Sequence, residues 1–153
     1  MRTIKYSHAG GEAIVPSHYV DELISIIEEC NVRLGKYRIS DFKKYFLAEI
    51  HKSGWSDKYS LNRTSKITIT SVKGKTGLCI QTGNMSRMYA DLLKLQATYA
   101  QKTIDSGILI LPVDACAKLV GDNVASYDRM VRELPIFDRV ITMPLVIIGF
   151  DID

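Results

Sequence analysis

The residues of this chain whose types and spacing suit chemistry on a phosphate backbone gather between positions 63 and 87. Arg63, Lys66, Lys73 and Lys75 place cations around a glycine-centred turn, and Asn84, Ser86 and Arg87 open a long amphipathic stretch. The N-terminus of a helix presents free backbone N–H groups that can receive a phosphate, and Lys and Arg contacts to the backbone fix a protein's position on a duplex. The alternative for each Lys is a solvated surface charge, and Arg87 could equally pair with Asp91 one turn along a helix. Signatures of other chemistries are missing: there is no GxSxG, no Walker A loop, no GxGxxG after a strand and no HExxH. His8, His18 and His51 are isolated in sequence and read as surface or structural histidines rather than catalytic bases. Cys30, Cys79 and Cys116 are odd in number and far apart, with no CxxC pair, and read as reduced thiols.

Composition sets the frame for these residues. A chain of 153 residues, 46% hydrophobic and 24% charged, has enough apolar content for one core and no bias toward disorder. A single domain over 1–153 is therefore expected, with no linker and no internal repeat. A formal net charge of +3 is too mild for a generally sticky polycation, so any DNA binding must use a local patch. The longest apolar runs, 108–113 and 145–150, are too short to span a bilayer, and no secretory signal is visible. A soluble, cytoplasmic protein with no membrane partner is the expectation.

The elements that must carry these residues follow from periodicity. A short strand at 3–6 leads through His8-Ala9-Gly10-Gly11 to a helix N-capped by Ser17, with Val20, Leu23, Ile24 and Ile27 on one face. A second helix from Ser40 turns Phe42, Tyr45, Phe46 and Ile50 inward and stops at Gly54, and Trp55 caps the core. Strands at 66–72 and 76–82, joined through Lys73-Gly74-Lys75, form a hairpin. A helix over 85–102 then points Met85, Met88, Tyr89, Leu92, Leu93, Gln96 and Tyr99 inward, and Arg87, Asp91, Lys94 and Thr98 outward. The apolar run at 108–112 is a buried parallel strand, which makes a right-handed βαβ crossover. Asp114 and Ser126 cap two short helices, Gly121 stops the first, and 145–150 is a final buried strand. The sum is an α/β fold, a mixed central sheet flanked by helices.

The segment 66–112 resembles the core of type II restriction endonucleases of the BglII and BamHI kind, in the PD-(D/E)XK nuclease superfamily. Ile80-Gln81-Thr82-Gly83-Asn84 is similar to the step from that family's second hairpin strand into its long helix. Tyr6-Ser7-His8-Ala9-Gly10-Gly11-Glu12, Gly54-Trp55 and 144–149 extend the similarity toward both ends. The resemblance implies a restriction-endonuclease-like fold, duplex DNA as ligand and a homodimer matched to a two-fold site. It also places the family's Asp at Thr70, its Glu at Cys79 and its Gln at Gln81.

At two of those three positions the metal-binding acid is replaced. Family members need a divalent cation to polarise the phosphate and activate water, and Mg²⁺ is normally held by carboxylates. Thr70 offers a neutral hydroxyl, Cys79 a soft thiol, and Gln81 could orient a water without holding the ion. The leading reading is therefore a DNA-binding pseudoenzyme of a restriction-modification type, needing no cofactor. One alternative is an active Mg²⁺-dependent nuclease rescued by Glu49 on the helix before the hairpin or Asp91 on the helix after it. Another is a regulatory subunit that binds a protein partner through the helix 85–102 and the segment 126–139.

Overall fold

Period-two alternation of apolar residues in three adjacent strands builds the centre of this protein. The computed structural model describes residues 1–32 and 38–152. The central sheet has the order β1-β7-β6-β5-β4, formed by β1 (Arg2–His8), β7 (Leu145–Asp151), β6 (Ser106–Pro112), β5 (Thr76–Ile80) and β4 (Ser71–Lys73). The β5–β6 and β6–β7 pairs are parallel, while β1 and β4 close the two edges antiparallel. This is the expected mixed sheet flanked by helices.

The alternation sorts side chains to two faces. Leu78, Ile80, Ile108, Ile110, Val146 and Ile148 pack beneath α2 (Ser17–Glu28) and α3 (Ile39–Lys52), against Leu23, Ile27, Phe42, Phe46 and Ile50. Cys79, Leu109, Leu111, Leu145 and Ile147 point the other way, against Met88, Leu92 and Leu95 of α4 (Met85–Ala100) and Met130 of α6 (Tyr127–Glu133). Full burial of one such Leu, Ile or Phe contributes about 1.5–3 kcal/mol, so both helical layers are held mainly by this packing. Trp55 joins the first core as expected, and its indole N–H donates to Glu22 at 2.9 Å.

Four local expectations need correction. The segment 66–72 is not one strand: β3 (Thr68–Ile69) pairs with β2 (Tyr59–Ser60) in a separate ribbon, and only β4 joins β5. Thr70 sits between them, where the chain leaves one pairing for another. Ser17 is the first residue of α2, with Pro16 at the cap position and no side-chain cap. Asp114 is likewise inside α5 (Asp114–Val120), and its N–H is capped from outside by Asp128 Oδ2 at 2.7 Å. In α4 the inward face is rotated: Asp91, Leu95 and Thr98 are buried, whereas Leu93 is 58% exposed. The physical reason is that two polar residues acquire internal partners, Gln81 and Lys94 for Asp91 and the Lys94 carbonyl for Thr98. Ser126, by contrast, caps α6 by accepting from Arg129 N at 3.3 Å, and Gly121 follows α5 as expected. The remaining connections are α1 (Gly11–Ile14) after β1 and a 3₁₀ turn at Leu134–Phe137. Among the described residues no helix is long and apolar enough to cross a membrane.

Candidate nucleic-acid interface

The register of the β4–β5 hairpin fixes the site. Ser71 lies opposite Leu78 as the last pair of the register, and Thr70 is the bend just beyond it, beside the end of β5. Thr70 Oγ1 accepts from the backbone N–H of Ile80 at 3.2 Å, holding the bend against the end of β5. Gln81 comes directly after β5, and Asn84 N-caps α4 by accepting from the Ser86 N–H and hydroxyl, each at 2.9 Å. The strand end and helix start are thereby locked around the turn.

A cleft of about 620 Å³ opens over this turn, with Thr70, Ile80 and Gln81 among its lining residues. One wall is α4, through Arg87, Asp91 and Lys94. The other is α3, through Lys43, Leu47 and His51, with Asp57 and Lys58 following from the next loop. Positions 43, 47 and 51 recur at intervals of four, which puts them on one face of α3. Lys43, Lys58, Arg87 and Lys94 face two carboxylates, Asp57 and Asp91, so the cleft is net positive. His51 Nε2 lies 3.5 Å from Asp57 Oδ1.

Asp91 is the buried anchor of the cleft. Its Oδ2 accepts from Gln81 Nε2 at 2.7 Å, and its Oδ1 pairs with Lys94 Nζ at 3.3 Å. The other end of Gln81, Oε1, accepts from Gly83 N at 3.0 Å. The ion pair anticipated between Arg87 and Asp91 is thus replaced by one with Lys94, three residues along. Cys79 is 1% exposed and packs in the α4-side core rather than among the lining residues. Burial pushes its thiol pKa strongly up, Asp91 pushes it further, and the Thr70 hydrogen bonds and Lys94 pull it down.

Of the remaining sequence candidates, Glu49 lies outside the lining of the cleft and holds Lys52 Nζ at 2.6 Å. Lys73 is a structural cation: it binds both Glu22 oxygens at 2.9 and 3.0 Å, donates to the Ser53 carbonyl at 2.7 Å and stands over the Tyr19 ring. Lys75 approaches the Lys102 carbonyl at 3.4 Å, and Arg63 and Lys66 are exposed away from the cleft lining. Sequence reasoning therefore found Thr70, Gln81, Arg87 and Asp91 in the cleft and missed Lys43, His51, Lys58 and Lys94 as a group. The four-residue spacing on α3 was the available signal for two of them. Lys73→Met should lower stability by about 1–3 kcal/mol, because Glu22 loses charged hydrogen bonds. Thermal melting of the variant beside the parent checks the loss.

A hairpin whose second strand runs into a capped helix, beside a parallel βαβ unit and over a cationic cleft, defines a restriction-endonuclease-like α/β fold. The family described as restriction endonuclease BglII/BglIII matches residues 3–150, and the chain belongs to that family. Among solved structures, BglII complexed with a DNA 16-mer superimposes with a TM-score of 0.89 at 11% identity, covering 100% of this chain and 78% of that one. Free BglII gives a TM-score of 0.77 at 13% identity, covering 100% and 81%. No curated protein sequence matches the chain.

Proposed function

We propose that this protein binds duplex DNA in the cleft between α3 and α4, as a homodimer, and that its phosphodiester-cleaving site is degenerate. The observation that carries the reading is the charge of the cleft: four cations face two carboxylates over the Thr70–Gln81 turn. The BglII structure most like this fold, of the two compared, was determined with DNA, which supports the same ligand class. For the dimer, Leu93, Ile136, Phe137 and Val140 are large exposed apolar residues on α4 and the segment around 134–140. A second copy of the chain would cover them, and two-fold symmetry would match a two-fold DNA site.

The donor set does not fit the family's divalent cation. Mg²⁺ binds through carboxylates and water in near-octahedral geometry. Thr70 is neutral, Cys79 is a desolvated thiol, and of the two cleft carboxylates Asp57 is an exposed side chain beside His51 while Asp91 already accepts a hydrogen bond on each oxygen. Rescue by Asp91 is the competing reading, favoured over rescue by Glu49 because Asp91 alone of the two reaches the cleft.

A mobility-shift titration against salt tests DNA binding. Affinity should fall with a log–log slope of roughly −0.9 per phosphate contact, so about −3 to −4 if the four cleft cations of one protomer each engage a phosphate. Absence of a shift at low salt sinks the proposal. In parallel, supercoiled plasmid with Mg²⁺ or Mn²⁺ should remain intact. Nicking that disappears in Asp91→Ala would establish the competing reading instead. Sedimentation of the free protein at twice the chain mass is the matching measurement for the dimer.

A further inference from the structure

We propose that the Lys94 ammonium acts as a built-in cation at the base of the cleft, so that DNA phosphate is bound there without a divalent ion. This rests on the DNA-binding reading and goes further, by assigning the phosphate contact and its independence from metal. A hard cation entering at Asp91 has to compete with the hydrogen-bond donors already on both of its oxygens, one of them itself a cation. Asp91 has its Oδ2 on Gln81 Nε2 at 2.7 Å and its Oδ1 on Lys94 Nζ at 3.3 Å. Gln81 cannot swing its amide oxygen toward an ion without breaking its bond from Gly83 N. A divalent cation entering here would meet one neutralised carboxylate and an ammonium a few ångströms away, and the repulsion at that range opposes binding.

The ammonium, in contrast, is supported for contact with an anion. Asp91 is almost fully buried, with 9% of its side chain exposed, and serves as a fixed counter-charge, whereas Lys94 keeps 30% of its side chain exposed to the cleft. An ammonium has three donors, and only one is directed at Asp91. The others can reach a phosphate oxygen. Charge-assisted hydrogen bonds of this kind are about twice as strong as neutral ones. The i,i+3 step from Asp91 to Lys94 keeps the pair on one face of α4, so the cation is held in place by the helix rather than by recruitment from solution.

The experiment compares fluorescence-anisotropy titrations of duplex DNA in EDTA and in Ca²⁺ at matched ionic strength, with calorimetric Ca²⁺ titration of the DNA-free protein alongside. Wild-type affinity should be the same in both buffers, and the free protein should give no Ca²⁺ heat. Lys94→Gln should bind DNA about tenfold more weakly in EDTA, the size of one charge-assisted contact, and recover in Ca²⁺ because Asp91 is freed. Lys94→Arg should retain metal-independent binding, and Lys94→Gln combined with Asp91→Asn should lose the recovery. Divalent stimulation of a wild-type protein that does bind DNA overturns this inference alone, as does Ca²⁺ binding by the free wild-type protein or unchanged EDTA affinity in Lys94→Gln. Failure of the wild type to bind DNA in either buffer overturns the DNA-binding reading beneath it.

Discussion

Cys79→Glu, which sets an acid at the strand position proposed to have lost one, should lower stability by about 3–5 kcal/mol at neutral pH, the scale of an uncompensated buried charge. Cys79 is 1% exposed among Met88, Leu92 and Leu95, and desolvation already drives its thiol toward the neutral form. A longer, more acidic side chain at that position is desolvated in the same way and also feels the negative charge of Asp91. The sign of the pH dependence follows. A carboxyl whose folded pKa is raised binds more protons folded than unfolded, so stability falls as pH rises from the ordinary Glu range up to the raised folded pKa. The gap between variant and parent should therefore be small in acid and widen toward neutrality, as measured by urea denaturation across pH. A variant as stable as the parent at neutral pH would show that the site can hydrate or re-pair the new charge. Thr70→Asp carries less of this cost, because Thr70 is only half-buried and borders the cleft.

Gly11→Ala should destabilise the fold by about 3 kcal/mol or more, at the upper end of overpacking effects. A Cβ at Gly11 would stand 2.2 Å from the Leu145 carbonyl oxygen and 2.6 Å from its nitrogen. Those are backbone atoms at the start of β7, so no rotamer change relieves the overlap; α1 or the strand must move. The neighbouring Gly10→Ala separates crowding from conformation. Gly10 has φ +72° with nothing near its missing Cβ, so its substitution should cost only about 1–2 kcal/mol for a left-handed non-glycine residue. Chemical denaturation of the two variants side by side checks the ordering, and equal effects would mean that α1 yields to the clash.

The resemblance in sequence was carried by features that local chemistry dictates. Ile80-Gln81-Thr82-Gly83-Asn84 specifies a step from strand into helix, and that step is present, although β5 ends at Ile80 rather than at 82 and the capping role of Asn84 was not read from sequence. The apolar run at 108–112 specifies a fully buried strand, and every residue of β6 is buried. Helix faces were less legible. Leu93 reads as inward by its side chain, yet it is exposed, because α4 rotates to bury Asp91 against Gln81 and Lys94. Periodicity counts apolar residues and cannot weigh a polar residue that will find internal partners. Lys73 shows the reverse: a hairpin Lys that sequence assigns to solvent or phosphate is consumed by Glu22 on a helix fifty-one positions earlier.

By itself, then, the sequence determined the family, the strand-and-helix order, and the absence of acids at Thr70 and Cys79, because those are properties of residue type and short spacing. The tertiary structure decided which charges meet. Lys43 and Lys58 come from segments far from Arg87 and Lys94, and only the packing of α3 and α4 on the sheet brings them to one cleft. It also decided that Asp91, the more buried of the two cleft carboxylates, is already balanced by Lys94. A carboxylate's availability depends on what lies within a few ångströms in space, and spacing along the chain does not encode it.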